Sequence, residues 1–168
     1  MYYKEIDAFA ADWDNETAAT ARTLEALTDE SLAVRVTPEH RALGDLAWHL
    51  VLTMHEMLSR TGLQFEAPHE HAPVPATAAA IAEAYRSASR NMLEAVRGQW
   101  TDAELAETSD MYGEEWPNGV TLGVLVAHEI HHRGQMTVLM RQAGLRVPDI
   151  YGPTREQWFE MGMTPPPV

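Results

Sequence analysis

Apolar residues recur at three- and four-residue steps along the first 27 positions of the chain, which is the spacing of one buried helical face. Acidic residues fall between these positions, and the polar run Thr28-Asp29-Glu30 follows the last of them. The pattern predicts a first helix of about seven turns. Its buried stripe consists of Tyr2, Ile6, Phe9, Trp13, Thr20, Leu24 and Leu27.

A second helical pattern ends near Thr61. Its start has two interpretations: Pro38 at the first helical position with Thr37 as N-cap, or a start nearer Leu43. Residues 62–76 contain three prolines and show no helical period. We therefore expect them to form a crossover loop.

Two more helices are predicted in the second half of the chain. One covers residues 78–98, and the other covers residues 120–143 with Gly144 as its C-terminal stop. Residues 99–119 between them are predicted to be a loop. The remaining tail is rich in proline, and only residues 154–161 could form a further short helix.

These helices have to bury their apolar stripes against each other, because no segment shows a convincing alternation of β-branched residues. A length of 168 residues suits one core rather than two. We therefore predict a single domain over residues 1–168, with an all-α fold built as a bundle of four main helices.

The charge balance argues against two classes of partner. The chain has 25 acidic and 12 basic residues, a formal net charge of -13, and its basic residues are scattered. Neither nucleic acid nor an anionic membrane is expected to bind such a surface. The N-terminus lacks a basic region followed by an apolar run, and no apolar segment reaches about 18 residues. We expect a soluble cytoplasmic protein.

Three histidines are candidates for one metal site. His128 and His132 lie one turn apart on the predicted fourth helix, although chance alone would give about 0.3 pairs at this spacing. His49 lies beside the apolar stripe of the second helix, so three imidazoles meet if the two stripes face each other. Because the chain has no cysteine, nitrogen and oxygen are the available ligands. The alternative is that His49 is a hydrogen-bonded core residue.

Several neighbouring residues have open roles. Gln135 could support His132 or pack as a helix amide, and Arg133 could meet a carboxylate on another helix. Glu56 is a possible supporting group for His49 or a solvated charge. Tyr112 and Trp116 could border the metal. The remaining histidines are not expected to be ligands: His131, which should point away from the pair, and His40, His55, His69 and His71.

The segment His128–His132 also matches the H-E-x-x-H motif of zinc peptidases, with Glu129 as general base. Such enzymes need a third ligand downstream. Gly134 is one residue short of the glycine in the extended motif, and no histidine follows His132. Glu156 or Glu160 would have to serve, so the peptidase interpretation is the weaker one.

The chain resembles the DinB/YfiT-like family of damage-inducible proteins. The resemblance rests on LGDLAWHL, which ends at Leu50, on the H-x-x-x-H-R-G-Q segment that ends at Gln135, and on the loop from Met111 to the Pro-Asn-Gly turn. It extends to about Tyr151. It implies an up-down-down-up four-helix bundle, commonly a homodimer, whose ligand positions correspond to His49, His128 and His132.

The resemblance also implies an activity, since characterised relatives include transferases and isomerases that use low-molecular-weight thiols. Three nitrogen ligands leave a coordination position open, as in catalytic metal sites. We therefore expect a metal-dependent transferase acting on a small electrophilic substrate with a thiol. The alternatives are a metal-dependent hydrolase and a non-enzymatic, stress-related metal- or ligand-binding bundle. Zinc is the default ion, and nickel, iron, cobalt or manganese would also suit the ligands.

Overall fold

The structure is a computed structural model that describes residues 2–167. Within that range the chain is mostly helical, with five α-helices and one pair of short strands. In chain order the elements are α1 (Ile6–Glu25), α2 (Leu43–Leu58), α3 (Ala78–Gln99), β1 (Thr108–Met111), β2 (Glu114–Pro117), α4 (Asn118–Gln142) and α5 (Arg155–Glu160). Short 3-10 turns cover Glu30–Ala33, Ser59–Thr61 and Glu104–Ala106.

The helix ends follow the local sequence. The second helix starts at Leu43, the later of the two predicted starts, where the Asp45 carboxylate accepts a hydrogen bond of 2.8 Å from the Ala42 backbone N–H. Gly144 follows α4 with a φ of 73°, the left-handed conformation that glycine adopts at helix ends. Gly98 is the last residue of the predicted third helix, and α3 continues one residue further, to Gln99.

The all-α prediction is wrong for residues 108–117, which form an antiparallel hairpin. Tyr112 and Gly113 make the turn with φ angles of 61° and 88°, as a tight two-residue hairpin requires. The Asp110 carboxylate fixes this turn by accepting a hydrogen bond of 2.8 Å from the Gly113 N–H. The strands lack alternating β-branched residues, so turn geometry rather than strand propensity defines the hairpin.

One cluster of buried side chains joins the four long helices. Helix α1 packs against α3 and α4, and α2 packs against the same two helices. Phe9 and Trp13 of the predicted first stripe are fully buried and stacked, and the Trp13 indole donates a hydrogen bond of 3.1 Å to Ser89 on α3. None of the described helices is long and apolar enough to cross a membrane.

Gly119 allows the closest approach between the N-terminal segment and α4. The Tyr3 N–H donates to the Gly119 carbonyl at 3.1 Å, and a Cβ at position 119 would lie 2.0 Å from the Tyr3 carbonyl oxygen. We expect Gly119→Ala to lower the free energy of unfolding by about 1–3 kcal/mol, because the backbone must move apart. Urea unfolding in the presence of chelator measures this change.

Gly134→Ala is the matched control on the same helix. A Cβ at position 134 would meet no atom within 4 Å, and alanine favours a helix over glycine. This variant should gain up to about 1 kcal/mol. Equal unfolding midpoints for the two variants would contradict the close packing at Gly119.

Candidate metal centre

The three predicted ligands lie together between α2 and α4. Nε2 of His49 is 3.0 Å from Nε2 of His128, and each of the three side chains offers a ligand atom within 4.8 Å of the others. The imidazole ring of His49 is 4.7 Å from that of His132, measured between ring centroids. All three side chains are half-buried. The predicted packing of these two helices therefore brings the cluster together.

The spacing of these nitrogens fits a divalent metal ion. Zinc binds imidazole nitrogen at about 2.0–2.1 Å, so two nitrogens of a tetrahedral site lie roughly 3.3 Å apart. The nitrogens of the cluster lie between 3.0 Å and 4.8 Å apart. Small side-chain rotations would bring each pair to roughly 3.3 Å. The His49, His128 and His132 group could therefore hold a metal.

Burial keeps the three imidazoles neutral. Burial, the nearby charge of Arg41 and then His132 lower the pKa of His49 to about 4. Burial, followed by the neighbouring His132 and His49, lowers the pKa of His128 to about 3, and burial lowers the pKa of His132 as well. Near neutral pH each ring thus retains a nitrogen lone pair, which is the form that binds metals.

Two polar side chains orient the cluster. The Gln135 amide oxygen lies 2.7 Å from Nδ1 of His132, so Nδ1–H donates to it and Nε2 is left as the ligand atom. Of its two predicted roles, Gln135 thus has the supporting one. Thr53 donates to the His49 carbonyl at 2.7 Å, and its oxygen lies 3.5 Å from Nδ1 of the same histidine.

Glu129 does not face the histidines. It is 1% exposed, and its carboxylate accepts a 2.5 Å hydrogen bond from the Tyr85 hydroxyl on α3. Burial raises the pKa of Glu129 to about 7. The two candidate downstream ligands are ion-paired elsewhere, Glu156 with Arg141 and Glu160 with Arg146. The peptidase interpretation of the H-E-x-x-H letters is therefore wrong.

The prediction that Arg133 meets a carboxylate on another helix is confirmed. Its guanidinium is 1% exposed and pairs with Glu16 on α1 at 2.5 Å. It also donates to Thr20 at 3.1 Å and to the Tyr151 hydroxyl at 2.7 Å. This pair ties α4 to α1 at the residue next to His132.

The two hairpin residues that could border the metal, Tyr112 and Trp116, each form a hydrogen bond with a glutamate. The Tyr112 hydroxyl donates to Glu56 at 2.8 Å, and the Trp116 indole donates to Glu114 at 2.9 Å. Glu56 also accepts a hydrogen bond of 2.8 Å from Arg60, so its carboxylate contacts both the hairpin and the residues that follow α2. The remaining histidines are not part of the three-histidine group: His40, His55, His69, His71 and His131. His131 was expected to point away from the pair, but its ring contacts that of His132, with 4.9 Å between the ring centroids.

A cavity of about 370 Å³ adjoins the cluster, with His132 in its lining. Arg41 and Val36, from the segment before α2, and Val138, from α4, also line it. Sequence reasoning missed these three residues. Residues 36–41 carry no motif, and their place beside α4 depends on how the chain turns into α2.

A mostly helical fold with a three-histidine cluster between two long helices defines a class of helical proteins with a candidate metal centre. Within this class, the model of the DinB family matches residues 1–164, and the chain belongs to the DinB family. The resemblance inferred from the histidine motifs is thereby confirmed. The chain is also 46% identical over 164 residues to the uncharacterized protein YrdA of Bacillus subtilis (strain 168), covering 98% of each.

Two solved structures are similar in fold. A DinB-like protein from Bacillus cereus ATCC 10987 matches with a TM-score of 0.86 and 46% identity, covering 90% of this chain and all of that one. The DinB-like protein YjoA from Bacillus subtilis matches with a TM-score of 0.66 and 16% identity, covering 85% of this chain and 96% of the other. The second likeness concerns the fold alone.

His49→Ala should abolish stoichiometric metal binding, because it removes the one ligand that α2 supplies. We expect the affinity to fall by more than about 100-fold, beyond the usual effect of changing a supporting residue. Elemental analysis of protein purified without chelator or an affinity metal checks this. His71→Ala, which removes an exposed histidine from the loop after α2, is the control that should keep the metal. Full metal content in His49→Ala would exclude the site.

Gln135→Ala should weaken metal binding without abolishing it. The amide fixes the tautomer of His132, and loss of such a partner costs about 10–100-fold in affinity. Competition with a chromogenic chelator measures the affinity. An affinity equal to that of the unmodified protein would show that the amide has only a packing role.

Proposed function

We propose that the protein is a metal-dependent transferase that joins a low-molecular-weight thiol to a small electrophilic substrate. The observation that supports this most is the three-imidazole cluster beside a cavity. A metal with three protein nitrogens retains at least one position for an exchangeable ligand, the arrangement of catalytic rather than structural sites.

We propose His49, His128 and His132 as the ligands and a divalent ion as the cofactor. Zinc is the default, and nickel, iron, cobalt and manganese suit the same donors. When bound, such an ion lowers the pKa of a coordinated thiol or water and so supplies a nucleophile near neutral pH. The protein contributes neutral imidazoles held by burial and a His132 ring oriented by Gln135.

The thiol has to come from outside the chain, which contains no cysteine. The cavity of about 370 Å³ beside His132 is in the size range of pockets that bind small molecules. Glu129 is committed to Tyr85 in the core, so it offers no general base at the cluster. These features favour chemistry in which an activated cosubstrate, rather than a protein side chain, attacks the electrophile.

We also propose that the long helices run up-down-down-up as a four-helix bundle. Tyr3 contacts Gly119, which supports parallel α1 and α4, while Leu46 and Leu139 line one cavity, which supports antiparallel α2 and α4. Asp29, just past α1, accepts a hydrogen bond from the first residue of α3. That the protein forms a homodimer and that it is located in the cytoplasm both remain predictions.

Cobalt-substituted protein tests the activity. Addition of thiols from a panel including cysteine and 2-mercaptoethanol should change the visible cobalt absorption, because sulfur enters the coordination sphere. With an electrophile such as 1-chloro-2,4-dinitrobenzene, thiol consumption should exceed that of His49→Ala by at least about tenfold, whereas the control His71→Ala should retain it.

Absence of both the spectral change and thiol consumption across the panel would contradict the proposal. Turnover of an activated ester without any thiol would instead indicate a hydrolase using the same ligands. A chelator-dependent fall in melting temperature without any exchangeable ligand would indicate that the metal only stabilises the fold.

A further inference from the structure

The cavity beside His132 has an apolar wall. Val36 precedes α2, Leu46 lies in its first turns, and Val138 and Leu139 lie near the end of α4. At about 370 Å³ the cavity is at the small end of the range for ligand pockets. A short alkyl or aryl group would bury its surface against these four side chains.

The polar side chains of the cavity carry no negative charge. Arg41, His40, Gln135 and His132 line it, and no aspartate or glutamate does. The chain as a whole has the opposite balance, with 25 acidic residues against 12 basic ones. The cavity is therefore a local exception in an acidic protein, and it favours an anionic group.

Arg41 is the cationic residue of the cavity, and no ion pair engages it among residues 2–167. Arg141 and Arg146, in contrast, each pair with a glutamate. Arg41 also lies in the lining of the same cavity as His132, one of the three histidines of the cluster. Arg41 is thus both near the histidines and free to bind a ligand.

We propose that this cavity is a substrate subsite in which Arg41 binds a carboxylate of the substrate. The planar guanidinium matches a carboxylate with two parallel hydrogen bonds. The apolar wall holds the body of the substrate, and its other end lies toward His132. The class of substrate is thus a small apolar molecule with one terminal carboxylate. This role rests on the function proposed above, because the reacting group has to lie at the histidine cluster.

Binding of hexanoate and of hexanamide to the full-length, metal-loaded protein tests the subsite without requiring turnover. The two probes share an alkyl body and differ in charge, and NMR titration gives a dissociation constant for each. We expect hexanoate to bind about two- to fivefold more tightly, the gain expected of an ion pair to an exposed arginine. Arg41→Gln should remove this preference and leave hexanamide binding unchanged.

Arg35→Gln is the matched control, since Arg35 is an exposed arginine of the same segment that does not line the cavity. It should keep the preference for hexanoate. The subsite is overturned if neither probe binds, if both bind equally, or if the preference is lost in both variants through a general charge effect. It is also overturned if the preference survives in Arg41→Gln, which would place the carboxylate on the metal. A protein inactive with every thiol could still show the Arg41-dependent preference, so the two proposals fail separately.

Discussion

The packing of α2 against α4 is the constraint on which the candidate site depends, because neither helix carries three ligands by itself. His49 comes from α2, and His128 and His132 come from α4. Leu50 and Met54 of α2 are fully buried and belong to the same core as the apolar residues of α4. Each such side chain stabilises the fold by roughly 1.5–3 kcal/mol when buried. Apolar packing thus sets the register that places three neutral imidazoles within a few ångströms.

Adjacent residues of α4 contact different neighbouring helices. His128 and His132 face α2, whereas Glu129 and Arg133 are each displaced by one residue, about 100° around the helix, and face α3 and α1. Their buried hydrogen bonds and ion pair anchor the helix from the side away from α2. A buried ion pair loses much of its Coulombic gain to desolvation, so its clearest effect is on orientation rather than on stability. We infer that it fixes the rotation of α4 and thereby the direction of the two imidazoles.

The sequence allowed the long helices and the histidine cluster to be predicted, because both follow from helical periodicity. The same periodicity explains why the letters around Glu129 mislead: the glutamate sits on a different face from the two histidines beside it. The hairpin at residues 108–117 could not be predicted from strand propensity, since its strands have four residues each and depend on the Tyr112-Gly113 turn. Arg41 was not predicted because its position depends on the tertiary path of the segment before α2.

X-ray absorption spectroscopy at the edge of the metal that copurifies with the protein tests the central claim most directly. The account predicts about three imidazole nitrogens at roughly 2.0–2.1 Å if the ion is zinc, with the multiple scattering of imidazole rings and a light exchangeable ligand completing the shell. A shell of oxygen ligands without imidazole scattering, or protein that retains no metal at all, would contradict it.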